Sequence, residues 1–270
     1  MLKYRKAFAR ADSRRFFAYM VDVAENRDKI NASVLFPYDL AHAYLDDWAE
    51  VKEENAVIEA QWKALPNYIT GENNIIVMAD MSGSMCGRPM ETASSLAIYF
   101  AERNKGVFEG LFMTFSSRPS LFYVGSSESF NTKLRKIFNS EVGYSTNLQA
   151  AFYKILELAI TAGIPSDEMP KALVVISDME IDRYIETRGL DFVEQMRQTF
   201  AKRGYKLPKL VLWNAEARND TFLTQDDQVI YVGGQSPSVF ELLMSSLNGK
   251  TSRDIMLEAL NSKRYDKVII

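Results

Sequence analysis

The sequence predicts an α/β protein: a doubly wound, mostly parallel sheet flanked by helices and preceded by a small helical segment. Two observations carry this. From Asn73 onward, short apolar runs alternate with helix-patterned stretches of eleven residues or more, the pattern of βα units. Several of those runs, such as "NIIVMAD" and "KALVVISD", are apolar without alternation, as expected of strands buried on both faces.

Residues 1–72 carry no strand signal and read as the helical segment; residues 73–270 read as the α/β domain with its C-terminal helices. "SRRFFAYMVDVAENRDKI" spaces Phe16, Phe17, Met20, Val21 and Val23 near a helical period, with Ser13 as its cap. "FPYDLAHAYLDDWAEV" gives a second helix after Pro37, and "ENAVIEAQWKAL" a third, closed by Pro66. "LPNYITGENN" is the one linker candidate. "NIIVMAD" is then the first strand, "RPMETASSLAIYFAERN" a helix, "VFEGLFMTFSS" a strand, and "SLFYV" a hairpin partner or edge. "SFNTKLRKIFNS" and "NLQAAFYKILELAITAG" are helices, and "KALVVISD" after them is a buried strand. "GLDFVEQMRQTFAKRG" is an amphipathic helix stopped at Gly204. "KLVLWNA" and "QVIYVGG" are strands; "SPSVFELLMSSLNG" and "TSRDIMLEALNS" are the last helices, the latter opened by a Thr251/Asp254 capping box.

Composition bounds the function. Hydrophobic residues make up 47% and charged residues 25%, ordinary for a globular chain. A net charge of −3 argues against a general nucleic-acid coat. One cysteine, Cys86, excludes an internal disulfide, and one histidine, His42, excludes a His-rich metal site. The basic N-terminus lacks an apolar signal core, and no apolar run approaches the ~18–20 residues of a membrane span. A cytoplasmic protein is expected.

Three segments concentrate oxygen donors where working sites of doubly wound sheets lie, at carboxyl ends of strands. "ADMSGSMCG" sets Asp80, Ser82 and Ser84 at alternate positions, with Gly83 expected to supply the turn's backbone freedom. "GYSTNL" offers Ser145, Thr146 and Asn147; "ISDMEID" offers Ser177, Asp178, Glu180 and Asp182. Hard oxygen donors in small number suit Mg²⁺ or Mn²⁺, which keep several waters. Taken singly, each of these residues also fits turn chemistry or helix capping. Glu180 and Asp182 read as solvated loop carboxylates or as a rim shared with Arg88 and Tyr144. Cys86 reads as a small residue packed under the loop, His42 as structural. Residues 1–30 hold eight Lys or Arg against four acids; with Phe16 and Phe17 taken as core-facing, this reads as a solvated helix face rather than a nucleic-acid patch.

Asp80, Ser82, Ser84, Thr146 and Asp178, in that order and with those flanking elements, resemble the von Willebrand factor A-type domain and its metal-ion-dependent adhesion site. The likeness covers residues 73 to about 235. It implies that Ser82, Ser84 and Thr146 bind the metal through hydroxyls, and that Asp80 and Asp178 act mostly through water or from behind. A helical segment leading into such a domain is also similar to the Ro-type (TROVE) ribonucleoproteins and a related group, on "FPYDLAHAYLDDW", "QWKALP" and "SDMEID". In Ro-type proteins a much longer helical ring binds small structured RNA, which about 65 helical residues do not reproduce. The expected function is therefore a non-enzymatic module that grips an Asp or Glu of a protein partner through a bound dication. The alternatives are a Ro-like scaffold for structured RNA and a metal-dependent hydrolase. Against the hydrolase, Ser82 and Ser84 lie in no G-x-S-x-G elbow, and the chain carries neither phosphate-binding glycine motif.

Overall fold

The computed structural model describes residues 5–25, 27–32, 34–45, 50–69, 74–140, 147–178, 182–217, 221–225, 228–235 and 237–261. The N-terminal segment contains α1 (Arg5–Ala11), α2 (Ser13–Ala24), α3 (Pro37–Tyr44) and α4 (Ala56–Lys63). The first of these extends the three expected helices. Asp12 separates α1 from α2 and caps the latter by accepting from Arg15 N (2.9 Å), so Ser13 is the first helical residue rather than the cap. The sequence pattern sets both Phe16 and Phe17 toward the core, yet neighbours on a helix point about 100° apart. Phe16 packs with Tyr19, Met20 and Val23 against Ile30 and Val57. Phe17 is 71% exposed.

The rest forms one sheet with its helices: β1 (Ile75–Ala79), α5 (Arg88–Ala101), β2 (Leu111–Thr114), β3 (Leu121–Tyr123), α6 (Phe130–Phe138), α7 (Leu148–Ala162), β4 (Ala172–Ser177), α8 (Asp182–Ala201), β5 (Lys209–Asn214), β6 (Thr221–Gln225), β7 (Val229–Gly233), α9 (Pro237–Leu247) and α10 (Ser252–Leu260). The strand order is β3-β2-β1-β4-β5-β7-β6. The five central strands run parallel, while β3 and β6 close the edges antiparallel. Edge strand β6 was not anticipated, because a single-paired strand needs no continuous apolar run. Helix α8 begins seven residues before the expected Gly189, a glycine that a long helix tolerates at a cost of about 1 kcal/mol.

Alternation in β1 divides two cores. Ile75, Val77 and Ala79 face one side with α5, α6 and α9; Ile76 and Met78 face the other with α7 and α8. The N-terminal segment joins the first core through Phe36, Tyr38, Leu40, Tyr44, Ile58 and Trp62. It therefore forms an extra layer over α5. Phe36 and Tyr68 meet Phe240 of α9 edge-on, at 5.9 and 5.4 Å between ring centroids. Trp62 stacks on Phe130 of α6 at 3.6 Å. Among the described residues, no helix is long and apolar enough to cross a membrane.

Candidate functional site

The sheet order reverses between β1 and β4: from β1 the chain moves outward to β2 and β3, then returns to β4 on the other side. Diverging connections leave a crevice beyond the carboxyl ends of those two strands. Asp80 follows β1 there, and Asp178 follows β4.

Asp80 is buried at 2% exposure and is held on every side. Its backbone N–H donates to Ile176 O at 3.0 Å, extending the β1–β4 ladder by one residue. Its Oδ1 accepts from Ser82 N at 2.9 Å, an Asx-type turn that starts the loop. Its Oδ2 accepts from Ser177 Oγ at 2.7 Å, and Ser177 Oγ also lies 3.3 Å from Asp178 Oδ1. The Ser177 hydroxyl, with one proton to give, donates to Asp80 and lies beside the carboxylate of its neighbour Asp178. Burial pushes the Asp80 carboxyl above its usual range, opposed by the Ser82 and Ser177 hydrogen bonds and reinforced by the nearby Asp178 charge. The pair is a site of concentrated, poorly hydrated negative charge.

After Asp80 the loop climbs through a single 3-10 turn, Gly83–Met85. Met85 points into the core at 0% exposure and pins the loop from beneath. Ser82 and Ser84 point the other way, their hydroxyls 3.1 Å apart. Because Met85 takes the inward position, Cys86 is exposed rather than packed below the loop. The backbone freedom assigned to Gly83 is used instead at Gly87, whose φ of +87° lets the chain turn into α5.

Four of the five expected donors therefore stand at the ends of β1 and β4. Thr146, together with Tyr144, Ser145 and Glu180, lies outside the described residues. Asp182 opens α8, and its side chain lies outside them too. Asn147 is occupied as the cap of α7, accepting from Ala150 N at 2.9 Å. Arg88, expected as a ligand-facing rim residue, is turned toward the N-terminal segment. Its guanidinium lies 3.6 Å above the Tyr38 ring and 3.5 Å from Asp39, and its Nε donates to Gln235 at 3.2 Å. His42 Nδ1 reaches Glu91 Oε1 across the same seam at 2.7 Å. Ser177 is the residue whose importance the sequence understated. It read as the last position of a buried strand, and its signal was a hydroxyl where the four preceding residues are apolar.

Among the described residues, no group of three or more His, Cys, Asp or Glu side chains could hold a metal ion. The donors here are of another kind: two carboxylates, one buried and one partly so, beside two outward hydroxyls. Such a set fits a hard, water-retaining dication, whose charge would offset the adjacent carboxylates.

Two family models meet within the chain. One, described as domain of unknown function DUF7788, matches residues 74–267; the other, described as domain of unknown function DUF2828, matches residues 1–74. Uncharacterized protein L728 of Acanthamoeba polyphaga mimivirus is 28% identical over 235 residues, covering 84% of this chain and 40% of that protein. The chain thus spans well under half the length of this curated relative. The crystal structure of the Deinococcus radiodurans Ro (RSR) protein superposes with a TM-score of 0.54, covering 93% of this chain and 52% of that one at 15% identity. At that identity the likeness establishes a shared fold.

Proposed function

For this chain, which belongs to the DUF7788 family, we propose that the crevice between β1 and β4 is the working site of a non-enzymatic binding module. The site holds Mg²⁺ or Mn²⁺ and presents it to an Asp or Glu of a protein partner. Ser82 and Ser84 supply hydroxyl ligands, with Thr146 joining them by the resemblance to adhesion sites. Asp80 and Asp178 contribute charge from behind. The observation that carries the reading is the placement of Asp80 and Asp178 on either side of the Ser177 hydroxyl at the switch point of the sheet, beside the paired Ser82 and Ser84 hydroxyls. The dication, when bound, supplies an electrophilic position for an incoming carboxylate. The protein's part is to orient Asp80 through Ser82 N and Ser177 Oγ, hydrogen bonds that favour its charged form against the burial that disfavours it.

The test is partner capture in Mg²⁺ against EDTA, with Asp80→Ala and Ser84→Ala beside the parent chain. Loss of an open-site ligand should weaken capture by about tenfold or more. Equal capture in EDTA by the parent and both variants sinks the reading. A phosphoester turnover screen with Mg²⁺ tests its non-enzymatic part.

A second reading, a scaffold for structured RNA, gains from Phe17. With Phe8 also exposed and Arg10, Arg14 and Arg15 on the same two helices, α1–α2 offers aromatic faces among cations. This is the combination that supports base stacking and phosphate contact. RNA binding that weakens steeply with salt, and is lost in Arg14→Glu/Arg15→Glu, would favour it over the metal-site reading.

A further inference from the structure

One run of hydrogen bonds crosses the carboxyl edge of the sheet, from the N-terminal layer to Asp80. It starts at α3. Asp39, whose Oδ2 accepts from Phe36 N at 2.9 Å, stands 3.5 Å from the Arg88 guanidinium, which lies over the Tyr38 ring. Arg88 Nε donates to Gln235 Oε1 at 3.2 Å. Gln235 Nε2 donates to Ala215 O, just beyond β5. Ala215 N donates to Ser177 O at 3.0 Å. Ser177 Oγ then donates to Asp80 Oδ2 at 2.7 Å.

Gln235 is the central member, and its side-chain type is specific. An amide offers an acceptor and donors on one flat group. Here the oxygen faces a cation and the nitrogen faces a carbonyl, so the amide can be turned only one way. A glutamate would set a carboxylate against Ala215 O; a lysine or arginine would set a second cation against Arg88. The backbone serves the same contact. Gly234, at a φ of +94°, turns the chain after β7 back over the end of β5. Gly234 N donates to Asn214 O at 3.1 Å, and Gly234 O accepts from the buried Trp213 Nε1 at 2.8 Å. Gln235 thus leaves a stretch stitched to β5 on both sides, and it is only partly exposed.

We propose that Gln235 is a positioning residue of the crevice at Asp80, and that Arg88 makes its placement depend on α3. Gln235 acts through others. It fixes Ala215, whose N–H fixes the Ser177 backbone, so that the Ser177 hydroxyl meets Asp80 Oδ2 while Ser82 N meets Oδ1. The N-terminal layer, which supplies none of the crevice's expected oxygen donors, therefore takes part in shaping it. The inference rests on the crevice being the working site, but the orientation of Asp80 is read without any metal.

The experiment is amide hydrogen exchange of the whole chain in EDTA, read by NMR, on the parent, Gln235→Leu, Arg88→Ala and the double variant; circular dichroism confirms that each is folded. The Ser82 amide reports on Asp80 Oδ1, and the Ala215 amide on Ser177 O. In Gln235→Leu both exchange about tenfold faster or more, while the Val124 amide, which donates to Gly110 O at the other end of the sheet, stays within about twofold of its parental rate. Arg88→Ala moves the same two amides in the same direction, and combining it with Gln235→Leu adds less than about twofold, because the two residues share one route. Calorimetry with Mn²⁺, run without EDTA, shows binding weakened about tenfold in Gln235→Leu. The proposal is overturned if Ser82 and Ala215 keep their parental rates in Gln235→Leu or in Arg88→Ala, if Val124 accelerates with them, if the two substitutions simply add, or if Gln235→Leu binds Mn²⁺ as the parent does. Exchange results as expected in a parent that binds no Mn²⁺ uphold the positioning role and defeat the metal reading instead.

Discussion

Helices α5 and α7 pack on opposite faces of the same sheet, yet only one of them meets water. In α7, Leu148, Ala151, Phe152, Ile155, Leu156 and Ala159 form a buried stripe, while Tyr153 and Ile160 are 44% exposed. In α5 every residue from Pro89 to Ala101 is buried, because α3 and α4 lie over its outer side. The two helices solve different problems. An amphipathic helix leaves its polar groups to solvent; a helix covered all round must satisfy them internally. Thr92, Ser94 and Ser95 of α5 do so by donating back to Arg88 O, Met90 O and Thr92 O. Small side chains at Ala93, Ser94 and Ala97 also fit a helix enclosed on both sides. The N-terminal segment is thus an integral second layer, and the sheet's two faces have unequal tolerance to change.

That inequality can be broken directly. Ser94→Lys places an unpaired charge in the enclosed surroundings of α5 and should cost about 4 kcal/mol or more. Tyr153→Lys, the comparable insertion on α7, should change stability by less than about 0.5 kcal/mol. Urea denaturation of the two variants measures the contrast, and equal losses would refute the layered description. Trp62→Ala removes the stack on Phe130 and the indole bond to Glu102, and should cost about 3 kcal/mol in the same assay.

The layer also carries a pH signature. Tyr44 is fully buried and donates to Glu59 Oε1 at 2.6 Å; burial first, then that bond, push its phenol well above the usual value of 10.0. Burial raises Tyr99 in the same way. A raised native pKa stabilises the fold below the unfolded value, and that stability is lost as pH climbs past it. Stability should therefore fall above about pH 10, by up to ~1.4 kcal/mol per pH unit for each such tyrosine. Tyr44→Phe should flatten the decline in an alkaline denaturation series; an unchanged slope would exclude its contribution. Of the substitutions expected to destabilise, Arg88→Ala has the smallest effect. Its partly exposed stack on Tyr38 is worth about 1 kcal/mol.

What could be read from the chain follows the same division. Strands β1 and β4 were legible because burial on both faces writes a continuous apolar run. The donors at their ends were legible because an acid and small hydroxyl residues there depart sharply from that run. Edge strand β6 left no comparable mark. The covering layer was not legible either. Nothing local to Ser94 distinguishes a serine facing water from one sealed inside, and nothing near Arg88 announces partners some fifty positions upstream. Periodicity placed Phe16 and Phe17 on one face, although adjacent helical residues cannot share it. Contacts across long stretches of chain decide such cases, and a single sequence does not print them.

Arg88 begins α5 only four residues beyond Ser84, and it is gripped by Tyr38, Asp39 and Gln235 together. A strain that shifted the serine loop would pull on this tether before it reached the middle of the sheet. The tip and the N-terminal cover are thus mechanically in series, and disturbance at one should be audible at the other.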